Sequence, residues 1–479
     1  MLGGFKSMVY GAPVNWKNPD GLTPLHVACI EGKDYVVRVL LQEPKIAINV
    51  LDNAGDTPLH KACREGHKEC VEMLLASPKV DPNLRNNQAA TPFLVVCQKG
   101  SKELVSLLLA DKRVDILKAA NRATPFFEAC QNGHTDVVSL LLASQKIDPN
   151  EPNDTRATPL FVSCQKNFQE VVLMLLAEPK IDPNRADATG ATPFFVVCQG
   201  GRTNLIPLLL ANSKINVNKA TTRGVTPFYA ACQFGHKEVA SLLLADPRIF
   251  PNKEIDSKAT PFRAACEYGD TELVSLLLAD KRIDPDSPIT DGTTPLFVAC
   301  KAGNTELVSL LLADGRIDPT KTDNEGATPL WHAANNGCKE VVSLLVADPR
   351  VDPNKPKKTL ATPLWAASNN GHLVIAQYLL TSERMIDTGR VCTWNNRTAG
   401  QQGRAMSSRS QKGGESLKDH NRIVNHGPQI ADLIEAYEKA PGEVRFQLRQ
   451  QVGIPCWWPP HSSSCVCQTL THTTHVFFF

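Results

Sequence analysis

The dipeptide Thr-Pro recurs eleven times along this chain, beginning at Thr23, Thr57, Thr91, Thr124, Thr158, Thr192, Thr226, Thr260, Thr294, Thr328 and Thr362. Nine of the intervals are 34 residues and one is 33. A constant period of this length describes one supersecondary unit copied in tandem, each copy too small to bury its own apolar face without a neighbour. The chain is therefore expected to fold as an all-α solenoid of eleven repeats, counted here by their threonines.

Within a repeat, the threonine suits a helix N-cap and the proline suits the first helical turn, where a missing N–H is no loss. Apolar residues follow at once (Leu25, Leu59, Phe93, Phe126), and small residues such as Ala28, Ala62 and Ala129 come three positions later. Nine residues after the threonine stands a glycine in ten repeats, with Asn167 in the fifth. Both residue types tolerate the left-handed conformation that ends a helix, so the first helix spans two to three turns. A second amphipathic run follows, as in Lys237-Glu238-Val239-Ala240-Ser241-Leu242-Leu243-Leu244-Ala245, and stops near Asp-Pro. The remaining residues, typified by Ile147-Asp148-Pro149-Asn150, are turn formers and should reverse the chain as a projecting finger.

Thr23-Pro24-Leu25-His26-Val27-Ala28-Cys29 and Thr57-Pro58-Leu59-His60-Lys61-Ala62-Cys63 resemble the signature heptapeptide of ankyrin repeats. The resemblance runs from about residue 14 to about residue 400. It implies an ankyrin-type solenoid of helix-turn-helix units with β-hairpin-like fingers, and an intracellular scaffold or adaptor that binds other proteins on its concave face and fingers. The alternative is a targeting subunit that recruits machinery such as a ubiquitin ligase through its C-terminal region. Ankyrin repeats are commonly one residue shorter; the extra residue here falls between second helix and finger, as in Asp314-Gly315-Arg316-Ile317-Asp318-Pro319.

Lys plus Arg number 51 and Asp plus Glu 49, without the basic stripe that a phosphate backbone requires, so nucleic acid is not an expected partner. No apolar run has the length of a membrane span and no signal-peptide core is present, which points to the cell interior, in the cytoplasm or else the nucleus. Nine of the fifteen cysteines occupy one repeat position, where Ala334 and Ser368 stand in the last two repeats. That position selects for small volume, as a core site in a reducing compartment does.

Chemistry is not expected. His26 with Cys29, and His60 with Cys63, have the spacing of a nucleophilic dyad or half a zinc site, but Phe127 with Cys130 and Phe195 with Cys198 hold the same places. No phosphate loop, dinucleotide fingerprint or zinc-protease helix occurs. Cys465, Cys467, His472 and His475 have poor zinc spacing and no surrounding core. The chain reads as a non-enzyme with no catalytic residue, metal, cofactor or small-molecule substrate.

Three residues after each threonine runs a series of ring-bearing and bulky residues (His26, His60, Leu94, Phe127, Phe161, Phe195, Tyr229, Arg263, Phe297, Trp331, Trp365), read as packing between repeats with a share left to an exposed track. Seven residues after the threonine stand Gln98, Gln131, Gln165, Gln199 and Gln233 in consecutive repeats, then Glu267 and Lys301. By the family resemblance this position faces the concave surface. With Lys99, Lys166, Phe234 and Tyr268 beside them, these residues form the expected protein-binding surface, the amides donating and accepting and the two aromatics anchoring. Recent duplication would equally leave identical surface residues.

Two residues before the threonine the finger turn favours glycine, yet Ala89, Arg122 and Arg156 stand there in consecutive repeats, so repeats three to five are expected to be the weak stretch. The organisation read from sequence is residues 1–22 as cap and first finger, 23–383 as the solenoid, 384–404 as a partial capping repeat, 405–427 as a flexible linker, 428–450 as a short amphipathic helical segment, and 451–479 as a tail of unrelated composition. Ile430, Leu433, Ile434 and Tyr437 mark one face of the short helix, which should dock on the end of the solenoid or enter another protein's groove.

Overall fold

The structure is a computed structural model, described here for residues 13–118, 123–382, 386, 429–439 and 447. The expected capping repeat at 384–404, the linker at 405–427 and the tail at 451–479 lie outside the described residues, residue 386 apart. The chain separates into two compact blocks, residues 1–299 with 306–318, and residues 300–305 with 319–479.

Each block is a tandem array of antiparallel helix pairs, and within each block the first helix of a repeat packs on the first helix of the next. First helices are short, as in Pro58–Glu65 and Pro193–Gln199, and second helices are of similar length, as in Lys68–Ala76 and Thr271–Ala279. The threonine caps as expected: Thr158 Oγ1 accepts the Phe161 N–H at 3.2 Å and Thr226 Oγ1 the Tyr229 N–H at 3.1 Å. The helix-ending residue is left-handed throughout, from Gly32 at φ 62° to Gly269 at φ 87°, and Asn167 at φ 64° does what the glycines do. Pro207 falls inside the second helix of repeat six, and that helix opens as a 3-10 turn, Thr203–Leu205, before Ile206–Leu210.

The core repeats with the sequence. Leu25, Leu59, Phe93, Phe126 and Phe194 are fully buried, as are the nine cysteines of the repeated position. The series three residues after the threonine is buried at every member. In the first two repeats it carries a hydrogen bond between neighbours. His26 Nδ1 accepts the Thr23 N–H at 3.1 Å, which leaves the proton on Nε2 to be donated to the Asp56 carbonyl at 3.0 Å. His60 repeats the arrangement toward the Ala90 carbonyl, and Arg263 Nη1 reaches the Thr293 carbonyl at 3.2 Å in the same way. Elsewhere rings, and in repeat three the Leu94 side chain, replace the bond.

Two further ladders tie repeats together. The asparagine two residues after the Asp of the finger base clamps the next repeat: Asn184 Nδ2 donates to the Lys214 carbonyl at 2.7 Å while its Oδ1 accepts the Asn216 N–H at 2.7 Å. Asn49, Asn83, Asn150, Asn218 and Asn252 make the same pair of bonds. The second ladder uses the extra residue of the 34-residue period. Arg282 pairs with Asp280 at 2.7 Å and donates to the Leu244 carbonyl, a C-terminal carbonyl of the preceding second helix, as Arg248 does toward Leu210.

At the finger turn Ala89 and Arg156 take φ of 59° and 64°, as the sequence requires of them, and Arg122 lies outside the described residues. Lys258 and Leu360 hold the same conformation in repeats eight and eleven, so this strain is not confined to repeats three to five. What does single out repeat four is its 33-residue length, with Leu117 in the clamp position and 54% exposed. Leu117 borders a cavity of about 310 Å³ with Ile147 and Asp148.

Residues 429–439 are helical, and Ile430, Ala431, Ile434 and Tyr437 are buried within the second block. Leu433 is only half-buried, so the buried face is rotated by part of a turn from the expected one.

Candidate functional site

The face carrying the glutamines is built by two local rules. The left-handed residue two positions beyond the glutamine ends the first helix, which leaves the glutamine and its successor in the last turn with side chains toward solvent. Opposite them, the fingers of repeats one, two, three, five, six and ten reverse around an Asn or Asp five residues before the threonine. Asn153 Oδ1 accepts the Thr155 and Ala157 N–H groups at 3.0 Å each, and Asp187 Oδ1 does the same for Thr189 and Ala191 at 2.9 Å. Thr155 and Thr189 also donate their hydroxyls to these oxygens at 2.7 Å.

Between helix ends and fingers, repeats four to six enclose an open groove of about 600 Å³. Its floor is Phe161, Val162, Phe195 and Val196; one wall is Gln131, Gln165, Lys166 and Gln199, and the other is Asn153, Thr155, Asp187 and Thr189. Of the residues expected from sequence, the first block thus brings Gln131, Gln165, Lys166 and Gln199 into one cavity. Gln98, Lys99, Gln233, Phe234, Glu267 and Tyr268 are exposed in the same block, outside that cavity. Lys301 is exposed and belongs to the second block.

The residues of the row are not equivalent. Gln98 hydrogen-bonds Glu128, whose carboxyl is raised above its ordinary range by burial and only partly brought back by that bond. Glu267 is held by Arg263 at 3.0 Å. In repeat two the corresponding Arg64 is drawn onto Asp56, which also accepts from Asn86 at 2.8 Å and Lys61 at 2.9 Å. Burial alone would raise the Asp56 carboxyl, but those donors outweigh it and hold the group well below the carboxylate range. Phe234 is 44% and Tyr268 56% exposed. Phe234 lies over His236 with ring centroids 6.4 Å apart, and Tyr268 covers Gly235, at φ 71°, so closely that a Cβ there would meet the ring.

Beneath the row runs a support that the sequence reading missed. His67, His134 and His236, ten residues after their threonines, place Nε2 at 3.0, 2.8 and 2.9 Å from the carbonyls of Ile30, Gln98 and Gln199 in the preceding repeat. His134 and His236 thus hold the last turns that present Gln98 and Gln199. The finger residues Asn153, Thr155, Asp187 and Thr189 were also missed; the signal available was the recurring Asn or Asp five residues before the threonine.

Burial pushes the thiols of Cys63, Cys97, Cys164 and Cys232 far up, and that of Cys70 up to about 12. Burial pushes His26 and His60 down, so both rest neutral in their inter-repeat bonds. Among the described residues no group of three or more His, Cys, Asp or Glu side chains is arranged to hold a metal ion, and no helix is long and apolar enough to cross a membrane.

A family model described as ankyrin repeats (3 copies) matches residues 2–86, 93–187, 160–259 and 262–357. Compared with curated proteins, the chain finds no match.

Proposed function

The chain belongs to the ankyrin-repeat family, and from that premise we propose that it is a scaffold or adaptor that binds other proteins along the face between its first-helix ends and its fingers. Ankyrin repeats are in general protein-protein interaction modules and are typically not enzymes. The observation that carries the reading is the groove in repeats four to six, where amides and hydroxyls line both walls above an apolar floor. Such a surface is ordered before a partner arrives, so little side-chain freedom is lost on binding. In this reading residues 23–383 are the binding solenoid, and nucleic acid and small molecules are not its ligands.

The alternative of a recruiting C-terminal helix draws less support, because Ile430, Ala431, Ile434 and Tyr437 are already covered inside the second block. The proposal places the protein inside the cell, in the cytoplasm, a reading supported by the eleven free thiols among the described residues, ten of them buried.

The test compares the full chain with a variant carrying Gln165→Ala, Lys166→Ala, Gln199→Ala, Phe234→Ala and Tyr268→Ala in affinity capture with cross-linking to mapped residues. A partner cross-linked to repeats four to eight and lost in the variant supports the proposal. Partners retained equally by both chains, or cross-linked only elsewhere, overturn it.

A further inference from the structure

We propose that the face from Gln131 to Tyr268 takes a proline-rich segment in the polyproline II conformation, one ligand turn to each repeat. The proposal rests on the protein-binding reading above and narrows its ligand. Its starting point is a coincidence of periods. Gln131, Gln165, Gln199 and Gln233 recur once per repeat on first helices that pack side by side, a separation of about 8–10 Å. A polyproline II helix returns the same face every three residues, or about 9.3 Å. Over the three steps from Gln131 to Gln233 the ligand and the row stay in register to within a few Å.

The other regular conformations fit less well. A β-strand also advances about 10 Å in three residues, but its faces alternate with a period of two, so successive glutamines would meet opposite sides of it. An α-helix with a seven-residue repeat advances about 10.5 Å, but its backbone carbonyls are bonded internally, which leaves a row of amides nothing on the backbone to read. Polyproline II carries no internal hydrogen bonds, and its carbonyls accept from outside donors. Each glutamine amide has two N–H groups to offer.

Charge points the same way. The groove is lined by one cation, Lys166, and one anion, Asp187, and farther along Glu267 is committed to Arg263, so the face as a whole calls for a neutral ligand. The row then ends in Phe234 and Tyr268, exposed on successive repeats with Tyr268 propped on Gly235. Exposed aromatic faces are the surface on which proline rings pack in proline-rich recognition. The cavity spans three repeats, and the two steps between them correspond to about six residues of such a ligand.

The experiment titrates the full chain into three fluorescent fifteen-residue peptides, followed by anisotropy: (Pro-Pro-Ala)5, (Gly-Ser-Ala)5 and a neutral alanine-rich helix. The expected result is saturable binding of the first, at least about tenfold tighter than the second. Gln165→Ala with Gln199→Ala should weaken it by about tenfold, and so should Phe234→Ala with Tyr268→Ala. One glycine inserted at the centre of (Pro-Pro-Ala)5 should weaken it too, because half the ligand leaves register. These side chains are exposed, and unchanged circular dichroism melts establish that the variants fold. The proposal is overturned if the proline peptide binds no tighter than the glycine-serine peptide, if the helical peptide binds best, or if the substitutions leave binding unchanged. A partner still cross-linked to this face after such a result would spare the protein-binding reading and remove only its ligand class.

Discussion

Replacing Asn184 by leucine should loosen one joint of the first block by a calculable amount. Asn184 makes two bonds to the next repeat, donating to the Lys214 carbonyl and accepting from the Asn216 N–H, each at 2.7 Å. Both are exposed, so water partly replaces them, and each is worth about 0.5–1 kcal/mol net. Their joint loss of about 1–2 kcal/mol raises the local opening constant by about 5–30-fold. Hydrogen exchange with mass spectrometry, read on a peptide containing Asn216, should show that acceleration there and little change at repeats nine to eleven. Leu117 offers the converse, because the chain itself carries leucine in the clamp position of repeat four. Leu117→Asn faces Asp148 across the small cavity and should slow exchange at the Asp148 amide by a similar factor. If Asn184→Leu leaves Asn216 within about twofold of the parent chain, the clamp carries no net stability. If Leu117→Asn accelerates exchange at Asp148, the idea that repeat four is weak for want of this residue is wrong.

Acid should act in two stages. His26 and His60 have lowered folded pKa values, so the unfolded chain takes up protons first and stability falls as pH drops below about 6.5. The carboxyls of Asp111, Asp246, Asp280 and Asp314, each lowered by the arginine two residues on, contribute stability that is present above about pH 4 and lost below it, and Asp56 adds to that second stage. Urea midpoints measured from pH 8 to pH 3 check both, and a rising midpoint between pH 6.5 and 5 would contradict the first. Cys338 is half-buried while the other ten described cysteines are buried, so peptide mapping after brief alkylation should find it modified before any of them. Gly66→Ala and Gly235→Ala separate strain from contact. At Gly66 a Cβ meets nothing within 4 Å, so only the left-handed backbone costs, about 1 kcal/mol. At Gly235 the same cost is joined by displacement of Tyr268, so its melting temperature should fall further, and equal losses would mean that Tyr268 moves freely.

The fold was legible because its strongest signals are backbone rules that act within one repeat. A threonine before proline caps a helix whatever lies nearby, and a glycine or asparagine nine residues later ends it, so Asn167 could be read as the equivalent of ten glycines. The buried position of Cys29 and its successors was legible from Ala334 and Ser368, since only volume is common to the three residue types; Ser368 answers for its hydroxyl by donating to the Leu364 carbonyl at 2.8 Å. What stayed hidden acts between repeats. The asparagine clamp and the arginine bond to a helix end reach residues about 30 and 38 positions away, and their sequence form, Asp-Pro-Asn and Asp-x-Arg, looks like ordinary turn chemistry.

The same distinction governs the candidate site. That the glutamines reach solvent followed from their place in the last turn, but their availability depends on neighbours that no single repeat reveals. Glu128 stands four residues after Thr124, where valine stands in the repeats on either side, and it occupies Gln98. Arg64, at the corresponding position of repeat two, is committed to Asp56. Of the five amides in the sequence, four, from Gln131 to Gln233, are left without this tie to a glutamate. That shortening places the start of the usable row at repeat four, where the groove opens and the clamp of Leu117 is missing. A partner that engages this row would meet the array at the joint that carries leucine in the clamp position. Binding should then raise the protection of the Asp148 amide above that of the free chain, and an unchanged exchange rate there in a saturated complex would separate the joint from the site.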